Sequence, residues 1–285
     1  MTLTDDVGST LTLDEEPSKI ISLSPANTET VFALGAGDRL VGGTDADDYP
    51  AEAKALPDVA TFQGVQVEKV LALGADLVLA AGNDFTPPAD IQRLRDLGIP
   101  VVVLYAETVD EVLADIELIG RSVGAADEAA AMTASMRHRM DTISAAAQVG
   151  PAPRVFYQIG SEPDIYGPAD DSFVADLIEL AGGQPITTGD AVSFTMPLER
   201  LVEADPEVIV VGDANYGVTP ADVKARGGAW SSMSAVKKDQ VRPVDDIIVT
   251  RPGPRLADGL AALALAIDPG SAVPTASPSA SAVAP

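Results

Sequence analysis

The fold is decided by a stretch that the chain carries twice. Residues 67–79 read VEKVLALGADLVL and residues 198–210 read LERLVEADPEVIV, so the two copies align without a gap at an offset of 131 residues. Each copy has the pattern of a short helix that turns into a buried strand. The units of solenoid proteins repeat about every 20 to 50 residues. A single recurrence at this longer distance predicts two similar lobes, with a chance likeness of two αβ units as the alternative.

Short β-branched runs alternate with helical segments from Lys19 onward. This alternation is typical of α/β domains with largely parallel sheets. The candidate strands are Ile20–Leu23, Leu40–Gly42, Leu77–Ala80, Val101–Leu104, Val155–Gln158, Val208–Val211 and Val241–Pro243. The sequence therefore predicts the α/β class for both lobes.

A helix start follows the first candidate strand at Ser24-Pro25. We expect the Ser24 hydroxyl to cap this helix, with Pro25 at the first position, where its missing N–H costs nothing. In open α/β sheets, ligands bind outside the carboxyl ends of the strands. Residues 24–27 are therefore a candidate wall of a ligand cleft, although a purely structural cap explains the same residues.

One long helix is predicted between the two copies, over residues 127–147. Met132, Met136, Met140 and Ile143 recur there at helical spacing, which favours packing over ligand binding. A helix of this length spans about 30 Å and would brace both lobes. The predicted organisation is an N-terminal lobe over residues 1–125, a connecting helix over 126–148, a C-terminal lobe over 149–269 and a disordered Ser/Pro/Ala tail over 270–285.

The composition narrows the function classes. The 285 residues include 18 Lys and Arg against 43 Asp and Glu, a net charge of −25, so we expect neither a nucleic-acid partner nor binding to an anionic membrane surface. With no cysteine, the chain lacks thiolate chemistry and Cys-ligated metals, and its one histidine, His138, leaves little of the metal and acid/base chemistry that needs a well-placed imidazole. It also lacks a phosphate-binding glycine loop and a nucleophile elbow. We therefore predict a protein that is not an enzyme and holds no metal.

Glu68 and Glu199 occupy matching positions in the two copies, just inside their short helices. An acid in a first helical turn interacts favourably with the helix dipole, which by itself accounts for both residues. The alternative is a pair of acids, one on each lobe, that grip arginines on a two-fold symmetric partner.

The few aromatic residues that stand out fall in predicted loops rather than on core faces. They are Tyr49, Phe62, Tyr166, Phe194 and Trp230. Loop aromatics near strand ends commonly line a pocket for a large, flat, amphipathic ligand. Asp246 and Arg251 are predicted to be polar groups that orient such a ligand.

Several segments, in their order and spacing, resemble one family of binding proteins. They are ISLSPANTE at 21–29, DYP at 48–50, VATFQG at 59–64, Glu68 with LGADLV at 73–78, RVFYQ at 154–158, AGG at 181–183, Glu199 and residues 251–255. Over about residues 4–268 the chain is similar to the periplasmic substrate-binding proteins of ABC importers for vitamin B12, haem and iron–siderophores. The cobalamin-binding branch of that family is the nearest.

This resemblance implies two Rossmann-like lobes joined by a single long helix, the class III periplasmic binding protein architecture. It implies an extracytoplasmic monomer without a cofactor, which captures a corrinoid, with cobalamin expected, between its lobes. It also implies that Glu68 and Glu199 dock onto arginines of a permease dimer. The implied ligand contacts are Ser24, Tyr49, Phe62, Gln63, Tyr166, Phe194, Asp246 and Arg251.

Two departures from the family pattern leave other ligands open. Phe62 stands where the cobalamin-binding branch has tryptophan, and residues 81–82 lack a further aromatic, with Phe85 the nearest ring. Haem or a ferric siderophore is therefore the alternative ligand, although the lone His138 lies on the connecting helix and Arg251 has few basic neighbours. The alternative from another class is an α/β enzyme that uses a pair of carboxylates.

Overall fold

The computed structural model describes residues 1–61, 63–82 and 85–274 of the chain. Two units, each with its own largely parallel sheet, make up the fold. Unit 1 comprises Met1–Ser135 and Pro252–Pro254, and unit 2 comprises Met136–Arg251 and Arg255–Pro285. Phe62 and residues 275–285 of the predicted tail lie outside the described ranges.

Unit 1 contains a two-stranded hairpin, a six-stranded sheet and helices that pack on the sheet. Its strands are β1 (Thr2–Thr4), β2 (Thr10–Thr12), β3 (Ile20–Ser22), β4 (Leu40–Thr44), β5 (Asp58–Thr61), β6 (Gly64–Val65), β7 (Leu77–Ala81) and β8 (Val101–Leu104). Its helices are α1 (Pro25–Ala33), α2 (Val67–Leu73), α3 (Pro88–Asp96), α4 (Val109–Ser122) and the start of α5 (Ala126–Ala147), with 3₁₀ turns at Gly37–Arg39 and Ala51–Ala55. The sheet order is β6-β5-β4-β3-β7-β8, and every neighbouring pair is parallel except β5 with β6.

Unit 2 contains a four-stranded parallel sheet and its helices. The strands are β9 (Arg154–Gln158), β10 (Gln184–Pro185), β11 (Val208–Val211) and β12 (Val241–Pro243), in the order β10-β9-β11-β12. The helices are α6 (Phe173–Leu180), α7 (Leu198–Ala204), α8 (Pro220–Ala225), α9 (Ser234–Lys237), α10 (Asp246–Thr250) and α11 (Leu256–Ile267), with 3₁₀ turns at Gly212–Tyr216 and Gly228–Ser232.

Both sheets contain the same four-strand core in the same topology. Unit 1 has the order β4-β3-β7-β8 within its sheet, and unit 2 has β10-β9-β11-β12. In each unit a helix, α1 or α6, connects the first of these strands to its neighbour on one side. The repeated stretch, α2-β7 or α7-β11, supplies the neighbour on the other side. The duplication seen in the sequence is therefore a duplication of topology, and the predicted α/β class is confirmed.

The two copies end their helices in the same backbone conformation. Gly74 follows α2 at φ 71°, and Asp205, its counterpart in the alignment, follows α7 at φ 44°. Glycine adopts this left-handed conformation freely, whereas a residue with a Cβ incurs a cost of about 1–2 kcal/mol. Asp205 is held there by its side chain, which accepts hydrogen bonds from the N–H and the hydroxyl of Ser234 over 2.7 and 2.8 Å.

A carboxylate just before each repeated strand ties that strand to its neighbour. In unit 1, Asp76 accepts hydrogen bonds from the N–H groups of Ser18 and Lys19, each over 2.9 Å, immediately before β3. In unit 2, Glu207 accepts a hydrogen bond from the N–H of Arg154, the first residue of β9, over 3.2 Å. Asp76 and Glu207 are aligned in the repeat, so the same contact sets the register of both strand pairs.

The seven predicted strands are confirmed, with ends that differ from the predicted ones by two residues at most. The sequence missed β1, β2, β5, β6 and β10, which are two to four residues long. These strands are too short to be recognised, because an alternation of apolar and polar residues becomes visible only over about four or more positions.

Ser24 occupies the N-cap position of α1, and Pro25 is the first helical residue, as predicted. The predicted hydroxyl cap is wrong, because no side-chain hydrogen bond closes the first turn. The Ser24 carbonyl instead accepts hydrogen bonds from the Thr28 N–H over 3.0 Å and from the Ser22 hydroxyl over 2.9 Å. The Ser24 side chain therefore takes no part in capping the helix.

Helix α5 confirms the long helix predicted after the first lobe. It begins in unit 1 and ends in unit 2. Met136, Met140 and Ile143 are buried, so the methionine stripe belongs to the packed interior, while His138 is exposed. Among the helices of the described ranges, none combines the length and the apolar character that crossing a membrane requires.

The first residues of the predicted tail are packed against unit 2. Val273 is buried, and the Ser271 hydroxyl donates a hydrogen bond to the Ala146 carbonyl over 3.2 Å. At these positions the structure differs from the predicted disorder, because a single apolar side chain and one hydroxyl find partners that the local sequence does not reveal.

The hairpin β1–β2 is attached to the edge of the unit 1 sheet by a buried acid. The Asp5 carboxylate accepts hydrogen bonds from Arg95 over 2.8 Å and from the Val103 N–H of β8 over 3.2 Å. The Asp5 side chain is fully buried, and Arg95 supplies the opposite charge that a buried carboxylate needs. The hairpin therefore covers an otherwise open sheet edge.

A second acid of the hairpin, Asp6, meets Asp115 of α4. The two carboxyl groups hydrogen-bond to each other, and Asp115 is buried. Burial raises the pKa of Asp115 to about 9, and the negative charges of Asp6 and Glu111 add to the rise. Asp115 is therefore protonated at neutral pH, which lets it donate to Asp6.

We expect Asp115→Asn to stabilise the protein at alkaline pH. The pKa of Asp115 is about 9 in the folded protein and about 3.9 in the unfolded chain. The contribution of this group to wild-type stability is therefore fully present below about pH 4 and is lost as the pH rises towards 9. The variant keeps the shape and the donor without that penalty. Its free energy of unfolding in urea should exceed the wild-type value by about 1–3 kcal/mol at pH 8 and match it at pH 4.

Asp110→Asn, an exposed change in the same helix, is the control and should show no such dependence on pH. Equal unfolding free energies for Asp115→Asn and wild type at pH 8 would contradict the raised pKa.

Candidate functional site

The carboxyl ends of the parallel strands meet at one edge of each sheet. The strand order reverses between β3 and β7 in unit 1, and between β9 and β11 in unit 2. At such a reversal the connections leave on opposite sides and open a crevice, which is where open α/β sheets bind ligands. The residues that follow these strands are therefore the candidate site residues of each unit.

In unit 1 the structure brings three predicted contacts to this edge. Ser24 lies two residues after β3, Tyr49 lies in the loop after β4, and Gln63 follows β5. Ser24 is half-buried, Tyr49 is 40% exposed and Gln63 is exposed. Phe62, the fourth predicted contact of this unit, lies outside the described residues. Their ligand roles stay predictions.

A buried polar cluster holds the loop that carries Tyr49. The Asp47 carboxylate accepts hydrogen bonds from the hydroxyls of Thr28 and Thr44, each over 2.7 Å, and from the Thr44 N–H over 3.1 Å. Asp47 is buried, and a Cβ on Gly43 would lie 2.2 Å from its Oδ2 atom, so any side chain at that position would displace the carboxylate. Tyr49 is therefore carried by a loop whose backbone is held close to the sheet.

In unit 2, Tyr166 and Phe194 lie on neighbouring segments of one irregular ribbon. The Tyr166 N–H donates to the Gly160 carbonyl, and the Gly167 N–H donates to the Phe194 carbonyl, each over 2.9 Å. Both aromatic side chains are half-buried. A Cβ on Gly160 would lie 3.3 Å from the Tyr166 ring, so that ring rests against bare backbone. The ribbon thus brings together the two aromatic contacts predicted for this unit.

Asp246 and Arg251 follow β12, and Asp246 is engaged inside unit 2. Tyr157 Oη donates a hydrogen bond to Asp246 Oδ1 over 2.7 Å, and the carboxylate is buried. Burial raises the pKa of Asp246, and hydrogen bonds from Tyr157 and Thr250 offset part of that rise. Arg251 is half-buried at the end of α10. Asp246 therefore links α10 to β9, and its role as a ligand contact stays a prediction.

A second buried network, which the sequence did not reveal, lies at the strand reversal of unit 2. Asp213, two residues after β11, accepts hydrogen bonds from Gln158 Nε2 over 2.7 Å and from Ser161 Oγ over 2.8 Å. Arg226 Nη1 donates to Gln158 Oε1 over 2.9 Å. The network joins the loops after β9 and β11. The available signal was a polar residue, Gln158, at the end of an otherwise apolar strand.

Trp230 corrects the prediction that the loop aromatics together line a pocket. Its side chain is 6% exposed and packs in the core of unit 2. The Arg226 guanidinium lies 4.3 Å from the centroid of its ring, a cation–π contact. Trp230 belongs to the 3₁₀ turn Gly228–Ser232, whose glycine-rich sequence resembles an exposed loop although tertiary packing buries its ring.

Glu68 and Glu199 lie in the first turns of α2 and α7, and both are exposed. Arg93 Nη2 of α3 lies 2.6 Å from Glu68 Oε1. The backbone N–H of its own helix turn, and then Arg93, hold the pKa of Glu68 below its usual range. Among the described residues, none forms an ion pair with Glu199. Both acids are presented to solvent, and only Glu68 has a cation beside it in its own unit.

The candidate edges offer aromatic rings, hydroxyls and amides, which bind a molecule without making or breaking a bond. Within the described ranges, no group of three or more His, Asp or Glu side chains is arranged to hold a metal ion. The arrangement therefore suits recognition of an organic ligand.

Comparison with known proteins gives the same picture. A family model described as periplasmic binding protein matches residues 20–247. The chain is 36% identical over 274 residues, covering 94% of this chain and 86% of the relative, to an uncharacterized ABC transporter substrate-binding lipoprotein of Bacillus subtilis. It is similar to the solved periplasmic vitamin B12 binding protein of Vibrio cholerae, with a TM-score of 0.77 and 28% identity over 88% of this chain and 96% of that one. A periplasmic heme-binding protein of Pseudomonas aeruginosa is similar at a TM-score of 0.74 and 26% identity, over 90% of this chain and 94% of that one.

We expect Asp47→Ala to loosen the loop that carries Tyr49. The change removes the carboxylate that accepts from the buried Thr28 hydroxyl and from the half-buried Thr44 hydroxyl and N–H, which costs about 1–3 kcal/mol of unfolding free energy. Amide hydrogen exchange of residues 44–49 should accelerate more than that of the β7 strand. Asp47→Asn keeps acceptor oxygen and shape, and should lose less than half as much. Unchanged exchange at residues 44–49 in the alanine variant would show that Asp47 does not hold the loop.

Proposed function

The chain belongs to the periplasmic binding protein family, and from this membership we propose that it captures a corrinoid, with cobalamin expected, and delivers it to a membrane permease. It is an ABC transporter substrate-binding protein of the type that binds vitamin B12, haem or iron–siderophores. Such proteins act outside the cytoplasm and work with permease and ATPase components. The resemblance inferred from the sequence and the class III periplasmic binding protein fold are confirmed.

The prediction that the chain is not an enzyme is confirmed as well, because the family and its relatives are solute-binding proteins. The alternative of an α/β enzyme with a carboxylate pair is therefore wrong. Two buried carboxylates near the candidate edges have structural partners: Asp47 holds a loop, and Asp246 accepts a hydrogen bond from Tyr157.

The observation that carries the corrinoid proposal is the placing of aromatic side chains after parallel strands. Tyr49 is exposed at the edge of the unit 1 sheet, and Tyr166 and Phe194 are half-buried on the ribbon of unit 2. A corrinoid is wide, with apolar ring surface and amide groups at its rim. Aromatic rings offer it contact area at a low entropy cost, and neighbouring hydroxyls and amides hydrogen-bond its rim.

Charge favours a neutral ligand over an anionic one. The chain has a net charge of −25, and Asp213, Asp245 and Asp246 lie shortly after strands of unit 2. Cyanocobalamin carries no net charge, whereas haem carboxylates and many ferric siderophores are anionic and would be repelled. Haem remains the second candidate, because a haem-binding protein is among the similar structures and Tyr49 offers a phenol at the unit 1 edge.

We predict that the purified protein binds cyanocobalamin with a dissociation constant below about 1 μM, which corresponds to about −8 kcal/mol. Calorimetric titration measures this, with hemin and ferrichrome titrated under the same conditions. Hemin or ferrichrome should bind at least tenfold more weakly. If the titration with hemin releases heat and the titration with cyanocobalamin at concentrations on the order of tens of micromolar does not, the haem proposal replaces the corrinoid one.

We further propose that Glu68 and Glu199 dock onto arginines of the two permease subunits, and that the binding protein itself acts as a monomer. The two acids are equivalent by the 131-residue offset, and a two-fold symmetric partner presents two equivalent sites. Both carboxylates are exposed in the first turns of their helices. Docking would give Glu68 an intermolecular cation in addition to, or in place of, Arg93.

The double variant Glu68→Arg, Glu199→Arg should bind its ligand with wild-type affinity but lose association with the transporter by tenfold or more, because two attractive charge pairs become repulsive. Association is measured with the permease complex reconstituted in nanodiscs. Glu128→Arg with Glu179→Arg makes the same change in net charge at two other exposed acids, and should associate normally. Normal association of the first double variant would leave Glu68 and Glu199 with only their helix-turn role.

A further inference from the structure

Two exposed aromatic side chains stand at matching positions in the two units. Phe85 is 74% exposed and Tyr216 is 75% exposed, more than the other aromatic side chains of the described residues. Continuing the repeat alignment six residues past Leu79 and Val210 pairs Phe85 with Tyr216, at the same offset of 131 residues. The two rings therefore stand at the same offset as the repeated stretch.

Hydrogen bonds of Phe85 and Thr86 hold these two residues close to the end of β7. Thr86 is buried, its hydroxyl accepts a hydrogen bond from the Ala81 N–H, and its own N–H donates to the Ala81 carbonyl, each over 3.1 Å. The Phe85 N–H donates to the Gly82 carbonyl over 3.2 Å. The buried Thr86 thus anchors the backbone here, while the ring of the adjacent Phe85 lies in solvent.

Tyr216 is presented in an equivalent way after β11. It ends the 3₁₀ turn Gly212–Tyr216, which is held by the buried Asp213 and by a 2.8 Å hydrogen bond from Asn215 Nδ2 to Asp245 Oδ1. Gly217, at φ 95°, closes the turn in a conformation that favours glycine. Here too the backbone is anchored and the ring is left in solvent.

An exposed ring on an anchored turn gains nothing for the fold. Burial of an aromatic side chain is a large source of stability, and neither the Phe85 nor the Tyr216 side chain contributes it. β7 and β11 are the strands at which the order reverses in their sheets, so both rings follow the carboxyl end of a strand beside a ligand crevice. Tyr49 in unit 1 and Asp246 in unit 2, both predicted ligand contacts, follow strands at the same edges.

We propose that Phe85 and Tyr216 are stacking contacts for the ligand, each placing its ring on the apolar surface of a broad macrocycle. The inference rests on the proposed function, since a corrinoid offers enough ring surface for more than one aromatic side chain. It adds two residues to the predicted contacts. Stacking needs the ring of Tyr216 and not its hydroxyl.

The test is titration of cyanocobalamin into single and double variants. Phe85→Ala and Tyr216→Ala should each weaken binding about 3- to 15-fold, the range expected for one aromatic stack. The double variant should weaken it by roughly the product of the two factors, because the rings are on separate loops. Tyr216→Phe should bind within about twofold of wild type.

The matched controls are Leu97→Ala in unit 1 and Val149→Ala in unit 2. Both side chains are exposed and apolar, but Leu97 precedes β8 and Val149 precedes β9, at the amino ends of strands. Both controls should bind within about twofold of wild type. Urea unfolding of every variant checks that affinity, and not folding, has changed.

Three results would overturn the inference. If the wild-type protein binds cyanocobalamin and the Phe85→Ala and Tyr216→Ala variants bind it equally well, the proposed function stands but the two rings have no stacking role. Equal affinity combined with weaker association of Tyr216→Ala with the nanodisc transporter would assign the ring to docking. A wild-type protein that binds none of cyanocobalamin, hemin and ferrichrome would overturn the proposed function and this inference together.

Discussion

Parallel pairing of β3 with β7, and of β9 with β11, is the constraint on which the rest of each unit depends. Parallel strands end at the same edge of a sheet, so the loops that follow them are brought together whatever their order in the chain. Asp76 and Glu207 reinforce this pairing at the opposite edge: Asp76 accepts from two backbone N–H groups just before β3, and Glu207 accepts from the first N–H of β9. Because the contact occurs twice at aligned positions, one duplicated unit accounts for both sheets and for both candidate edges.

Buried polar groups convert those edges into fixed surfaces. Asp47 in unit 1 and Asp213 in unit 2 each accept side-chain hydrogen bonds from two residues, and both acids are buried. A buried carboxylate that kept only some of its donors would be costly, so these loops have one favoured arrangement. Loops that are ordered before binding save part of the entropy that association otherwise costs. This agrees with a protein that recognises its ligand by contact and not by chemistry.

The acidic surplus of the chain has different consequences at different depths. On the surface it supports solubility and leaves Glu68 and Glu199 in solvent. In the interior the same residue types are matched case by case: Asp5 with Arg95, Asp246 with the Tyr157 hydroxyl, and Asp115 by retaining its proton. Burial without an opposite charge is tolerated at Asp115 only because the neutral acid donates to Asp6.

Local periodicity predicts the α/β class, the duplication at 131 residues and the long helix, and the family resemblance predicts a solute-binding protein that is not an enzyme. The sequence also brought Tyr49, Tyr166 and Phe194 into the candidate site, through the family resemblance. Contacts between distant segments show, in addition, that Trp230 is a core residue, that the Ser24 side chain does not cap its helix and that Asp246 is hydrogen-bonded to Tyr157. The physical reason is separation along the chain: Thr28 meets Asp47 across 19 residues, Gln158 meets Asp213 across 55, and Tyr157 meets Asp246 across 89. Local sequence determines which segments become strands and helices, but the hydrogen-bond partner of a buried side chain lies on a segment that is distant in sequence and is brought next to it by the packing of the sheet.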